Sequence, residues 1–135
     1  MDIRHTATTC PYCGCGCGLT LETSQGRILR TSPTPHSPVN EGRLCIKGWN
    51  VHDFVQHADR LRKPLLRTGS QWQNLDWDNA LDIAAARLAH IRDTYGPDSI
   101  GVLTSARCTN EENYLLQKFT RCALRTNNID HCARL

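Results

Sequence analysis

Four cysteines, spaced Cys10-x2-Cys13-x3-Cys17-x27-Cys45 with Lys47 just beyond the last, are the residues of this chain best equipped for chemistry. Three of them share one glycine-rich loop, Cys-Pro-Tyr-Cys-Gly-Cys-Gly-Cys-Gly, and the fourth returns from a distant turn. Four thiolates complete the ligand set of a [4Fe–4S] cluster, one per iron. Gly14, Gly16 and Gly18 would let the backbone take positive φ and come close to a compact inorganic core. Backbone N–H groups could then point at the sulfurs and help set a reduction potential. The pattern reads as an electron-transfer site.

Other ligand sets compete with this one. Cys15 is a fifth candidate, so Cys10, Cys13, Cys15 and Cys17 form an alternative set; alternate residues such as Cys15 and Cys17 sit awkwardly on one cube, which favours Cys45. Zinc is the main chemical rival, because Cys-x2-Cys with two further cysteines also suits a tetrahedral ion. Zinc sites more often pair two such knuckles, and the sequence holds no second one. Disulfides are the third reading. Eight cysteines behind an N-terminus without a signal peptide argue against them, since cytosolic thiols stay reduced.

The elements that must carry these residues divide near residue 60. Leu19–Glu22 and Arg27–Arg30 alternate apolar and polar residues around Ser24-Gln25-Gly26, a hairpin signal. Ser32 to Pro38, with prolines at 33, 35 and 38, is expected to be a loop leading back to the cysteines, and Gly42-Arg43-Leu44 would deliver Cys45. A short helix over Trp49–His57 would turn Val51, Phe54 and Val55 inward. A unit this small has little apolar core and would lean on a metal cluster for stability.

Beyond Arg60 the pattern changes. Asp76 is placed to cap a helix running to Tyr95, with Trp77, Ala80, Leu81, Ala84, Leu88 and Ile91 at helical spacing and Gly96-Pro97 as its stop. Ile100–Leu103 reads as a short buried strand. Thr109-Asn110-Glu111-Glu112 is a capping box opening a helix to about Leu124, and Asn128–Asp130 begins another strand. The expected fold is an α+β cap around a [4Fe–4S] cluster, built on a small antiparallel β unit over residues 1–60, followed over 61–135 by the start of an α/β domain with a parallel sheet. The loop after the Ile100–Leu103 strand lies where such sheets bind ligands.

Composition excludes several partners. A formal charge of +3, with dispersed basic residues, gives no nucleic-acid-binding patch. No stretch approaches the roughly 20 apolar residues of a membrane span. The N-terminus has neither an apolar signal core nor a twin-arginine pair, so the chain is expected to be cytoplasmic.

Three motifs carry a family resemblance: Cys10-Pro11-Tyr12-Cys13 with Cys17, Leu44-Cys45-Ile46-Lys47-Gly48, and the run from Thr126 to Leu135, Thr-Asn-Asn-Ile-Asp-His-Cys-Ala-Arg-Leu. Together with Asn110–Tyr114 and Gln117-Lys118-Phe119 they resemble the N-terminal part of molybdenum- or tungsten-dependent formate dehydrogenases that bind two molybdopterin guanine dinucleotides. The first two motifs are shared with the wider family, including assimilatory nitrate reductases; the third is closer to formate dehydrogenases. The resemblance covers essentially the whole chain.

What it implies is residue-specific. Cys10, Cys13, Cys17 and Cys45 would hold the cluster, and Lys47 would lie between cluster and proximal pterin as an electron relay, its ammonium raising the cluster potential. Arg107, Thr109, Asn110, Glu111 and Asn113 would face the pterin, a helix N-terminus there suiting a phosphate or polarised pterin edge; the plainer role for Thr109 and Glu112 is to cap the helix. Ala133-Arg134-Leu135 leads, in the family, directly into the cysteine or selenocysteine that ligates the metal, then a catalytic histidine. The chain would thus stop one residue short, as if UGA after Leu135 had been read as a stop, and alone should not oxidise formate.

The implied reaction is the interconversion of formate and CO2, with electrons passing to iron–sulfur or NAD- or ferredoxin-linked subunits. A complete small [4Fe–4S] carrier and a zinc-stabilised interaction module are the competing classes. Cys132 and His131 are expected to be supporting residues, and Cys108 and Cys122 buried or half-buried thiols. His36, His52, His57 and His90 are expected at the surface, and Trp49, Trp72 and Trp77 as packing anchors.

Overall fold

The segment from Cys10 to Cys17 is the tip of a β-hairpin. In the computed structural model, which describes residues 2–132, strands β1 (Arg4–Thr9) and β2 (Gly18–Ser24) run antiparallel from Arg4 opposite Thr23 to Thr9 opposite Gly18. The Cys10 N–H donates to the Cys17 carbonyl at 2.8 Å and closes the loop. Sequence patterning missed β1 because all of its residues are exposed and none of its alternation is apolar; only its β-branched threonines favour a strand.

β2 pairs with β3 (Arg27–Pro33) in the expected hairpin, giving the sheet order β1-β2-β3. Gln25 and Gly26 turn at φ 50° and 76°, the paired positive angles of a type I′ turn. β3 runs further than expected: Ser32 and Pro33, assigned to the loop, stand opposite Thr20 and Leu19. Proline is tolerated there because it ends an edge strand, where no N–H is needed for a ladder.

The core of this region is Leu19 (1% exposed), Cys10 and Val51, with Tyr12, Cys17, Leu21 and Leu44 packed against it. The single helix expected over Trp49–His57 is instead two short ones, α1 (Ile46–Trp49) and α2 (Val51–Gln56), with Asn50 between them. Of the residues expected inward only Val51 is buried; Phe54 and Val55 are exposed. Polar contacts anchor α2 in their place. His52 Nδ1 meets the buried Thr31 hydroxyl at 2.9 Å, so this histidine is half-buried rather than a surface residue. The Gln56 carboxamide bonds both the N–H and the C=O of Ile28, at 2.9 and 2.8 Å, as a neighbouring strand would.

The chain forms two compact units. One contains the residues up to Arg60 with Ser105–Tyr114 and Cys132, the other Leu61–Thr104 with Leu115–His131. In the second, β4 (Leu65–Thr68) and β5 (Gln71–Asn74) form a hairpin that polar composition concealed, turned by Gly69 at φ 61°. α3 (Trp77–Tyr95) begins as expected: Asp76 accepts the Asn79 N–H at 2.8 Å, and Gly96 ends the helix at φ 87°. Its apolar stripe does not form a core, since no residue of α3 is buried and Trp77, Leu81 and Tyr95 are well exposed.

After a 3-10 turn at Pro97–Ser99, β6 (Val102–Ser105) pairs with β7 (Ile129–Cys132). The strand starts two residues later than expected and is not buried: Leu103 is 83% exposed, and Ile100, just before it, is the buried residue. α4 (Asn110–Phe119) continues into a π-helical turn over Thr120–Leu124, ended by Arg125 at φ 65°. Thr120, fully buried, donates its hydroxyl to the Leu116 carbonyl at 2.7 Å, the kind of back-bond that disturbs a regular helix. Among the described residues, no helix is long and apolar enough to cross a membrane.

Candidate metal centre

The hairpin tip brings Cys10, Cys13, Cys15 and Cys17 together. Cys10 is buried, Cys13 and Cys17 are half-buried, and Cys15 is exposed; all are free thiols. Burial pushes the Cys17 thiol up to about 11, helped by a hydrogen bond with Cys15 and the proximity of Cys10 and Cys13. A bound cation would offset that cost and let the Cys17 thiol ionise. Of the loop glycines only Gly16 takes positive φ, at 72°. Gly14 and Gly18 instead let side chains come close: a Cβ would lie 2.6 Å from Asn110 Oδ1 at Gly14 and 2.9 Å from Ser37 Oγ at Gly18, and would displace them.

Cys45 arrives at the N-cap position of α1 and is exposed. No capping hydrogen bond is closed, yet the amide N–H groups of Gly48 and Lys47 face its sulfur, and with the Lys47 ammonium they hold the thiol below its usual range. Two contacts join this segment to the hairpin tip. Leu44 packs against the buried cluster of Cys10, Leu19 and Val51, and Lys47 Nζ sits 4.8 Å from the centroid of the Tyr12 ring, a cation–π contact. Gly48 is buried against Leu44, whose side chain lies 3.1 Å from where a Cβ would stand.

Among the described residues, no three cysteine, histidine or acidic side chains converge tightly enough to hold a single metal ion. A tetrahedral zinc site wants its sulfurs ~3.8 Å apart, given Zn–S bonds of ~2.3 Å. A four-iron cube takes one thiolate per iron and suits a more open arrangement. By its chemistry, a set of four free thiols supplies the one thiolate per iron that such a cluster needs.

The second group of candidates lies on the loop after β6. The capping box forms as the sequence reads: the Thr109 N–H donates to Glu112 at 2.7 Å, and the Glu112 N–H to the Thr109 hydroxyl at 3.2 Å. Asn113 donates to the carbonyls of Ser105 (3.2 Å) and Thr109 (3.1 Å). Asn110 reaches the cysteine loop, donating to the Gly14 carbonyl at 2.8 Å. Glu111 is exposed, and Arg107 lines a shallow depression of about 390 Å³ with Pro11, Tyr12 and Phe54. Cys132 lies 3.3 Å from the Ser105 hydroxyl; that contact, the Ala106 N–H and the Arg107 charge lower its thiol. Cys122 and the three tryptophans are exposed, against expectation. The Ala133-Arg134-Leu135 segment lies outside the described residues.

Sequence reasoning missed Asn40. Its carboxamide accepts the Gly18 N–H at 2.8 Å and donates to the Gly18 carbonyl at 3.1 Å, fastening the segment before Cys45 to the residue after Cys17. A lone asparagine in a turn-rich stretch gives no sign of such a partner.

Residues 3–57 match the family model described as the molybdopterin oxidoreductase Fe4S4 domain, and residues 60–135 that described as molybdopterin oxidoreductase. The chain belongs to the molybdopterin oxidoreductase family. The cofactors of this family are a [4Fe–4S] cluster and molybdopterin, and the cysteine-rich unit built here falls in the first matched segment. The chain is 50% identical over 135 residues to the F420-dependent formate dehydrogenase subunit alpha of Methanocaldococcus jannaschii, and 46% over the same length to the formate dehydrogenase 1 subunit alpha of Methanococcus maripaludis. Each match takes in 100% of this chain but 19% of the relative. The acetylene hydratase of Pelobacter acetylenicus has a similar structure, with a TM-score of 0.72 and 28% identity over 93% of this chain and 18% of that one. A fold shared by a hydratase and dehydrogenases does not by itself fix the reaction.

Proposed function

We propose that this chain is the N-terminal iron–sulfur portion of a formate dehydrogenase, divided near residue 60 into a cluster domain and the start of a molybdopterin-binding domain. The observation that carries the proposal is the 46–50% identity, along the entire chain, to formate dehydrogenase alpha subunits. Cys10, Cys13, Cys17 and Cys45 are the proposed cluster ligands. Lys47, resting on Tyr12, is the proposed relay toward a bis-molybdopterin guanine dinucleotide that carries molybdenum or tungsten. Arg107, Thr109, Asn110, Glu111 and Asn113 line the approach to that cofactor in this reading.

The pterin-bound metal supplies the two-electron chemistry on formate; the chain's own contribution is to hold the cluster and conduct. Burial of Cys10 and the half-burial of Cys13 and Cys17 limit water at the sulfurs, which tunes their potential. A lysine ammonium near Cys45 favours added negative charge and so favours the reduced cluster. The whole protein would act in the cytoplasm and pass electrons to an iron–sulfur, NAD-, ferredoxin- or F420-linked partner. The 135-residue chain alone would not oxidise formate.

The test is to read the gene beyond the Leu135 codon, express the longer frame anaerobically and assay formate-dependent reduction of a viologen dye. Turnover is the expected result. A cofactor-loaded protein that ignores formate would assign the chain to another reaction of the family.

A further inference from the structure

Asn110 occupies the first position of α4, where the N-terminal capping duties are already discharged by the Thr109–Glu112 pair. Its carboxamide is therefore spare for the helix, and it turns to the cysteine loop. Nδ2 donates to the Gly14 carbonyl at 2.8 Å across 96 positions of sequence. The rest of the group lies against the same residue: a Cβ on Gly14 would stand 2.6 Å from Oδ1, 3.4 Å from Cγ and 3.8 Å from Nδ2. The carboxamide thus lies against the loop. Gly14 takes no positive φ, and a side chain there would displace the Asn110 carboxamide from this position.

Gly14 lies between Cys13 and Cys15. In a trans peptide the C=O and the following N–H point in opposite directions, so fixing the Gly14 carbonyl also fixes the Cys15 N–H. The base that Asn110 works from is itself held. Asn113 ties the first turn of α4 to the Ser105 and Thr109 carbonyls, and Thr109 and Glu112 bond each other.

We propose that Asn110 is a positioning residue for the cysteine loop: it fixes the Gly14–Cys15 peptide plane and thereby the dipoles around the cluster. This rests on the reading of Cys10, Cys13, Cys17 and Cys45 as cluster ligands. Backbone dipoles beside the sulfurs are among the determinants of a cluster's potential, so loosening this plane changes the cluster's electronic signature. Asn110 is exposed, so its replacement leaves the core intact.

The experiment compares the anaerobically purified holoprotein with Asn110→Leu, which keeps the approximate shape without the N–H donor, and with Asn110→Ala. Amide hydrogen exchange across residues 13–16 reads the mobility of the loop that the clamp restrains, with or without iron. Both variants are expected to exchange there about fivefold faster, the effect of one lost hydrogen bond. Iron content should match the wild type, while the EPR spectrum of the dithionite-reduced cluster and its midpoint potential should move. Unchanged exchange would overturn the clamp. Faster exchange with an unmoved spectrum and potential would overturn its influence on the cluster. A wild-type protein lacking iron would sink the cluster reading instead, and exchange would still decide the clamp.

Discussion

Cys15 and Cys45 are both exposed, but their surroundings differ. Cys15 sits among its own kind, sharing a hydrogen bond with Cys17, whereas Cys45 is met by the Gly48 and Lys47 amides and by a lysine charge. The second environment favours the thiolate, the form that binds a metal. Cys45→Ala is therefore expected to abolish the cluster, and Cys15→Ala to leave near four irons per chain, as one thiolate per iron requires. Iron analysis of anaerobically purified variants checks both, and loss of iron from the Cys15 variant would reverse the ligand choice. Lys47→Ala should keep the iron but, in the full-length enzyme, slow formate-dependent reduction by about tenfold, ~1.4 kcal/mol of barrier. Tyr12→Leu, which removes the ring beneath the ammonium, should give a weaker version of the same defect.

Short elements hold these residues, and they are secured by a few specific contacts. Leu19, 1% exposed at the start of β2, is the centre of the small core behind the cysteine loop. Leu19→Ala is expected to destabilise the protein by about 2–5 kcal/mol, measured by denaturant unfolding. The cap of α3 gives a pH-dependent prediction. The Asn79 backbone N–H, then its side-chain amide, holds the Asp76 carboxyl below its ordinary value of 3.8. With the folded value lowered, the cap's contribution is complete above the unfolded pKa and fades as pH falls through the folded one. Asp76→Asn keeps an acceptor but does not titrate, so the acid loss of α3 helicity between about pH 5 and 2 should flatten, as followed by circular dichroism.

The elements also show why some features were legible in the sequence and others were not. The β2–β3 hairpin, the Asp76 cap, the Gly96 stop and the Thr109–Glu112 box are local signals, read within a few residues, and each formed. β1 and the β4–β5 hairpin lack apolar alternation, so their pairing is decided by partners that no local pattern reveals. Helical spacing reports the apolar faces of α2 and α3 without reporting what covers them. Asn40 and Asn110 act through partners 22 and 96 positions away, beyond any motif.

At the scale of the whole molecule, the chain spans 19% of the alpha subunits it matches, and much of its apolar surface is open. The motif that most closely resembles formate dehydrogenases ends in Ala133-Arg134-Leu135, outside the described residues, so the substrate reading draws on the relatives more than on geometry. The cluster reading draws on both: a hairpin tip that gathers thiols, a fourth thiol tuned by amides and an ammonium, and a matched Fe4S4 domain. The most direct test is iron and zinc analysis of the anaerobically purified protein with EPR after dithionite reduction. The account predicts a brown protein with about four irons per chain and a reduced-cluster signal. A colourless, EPR-silent protein with stoichiometric zinc would contradict it.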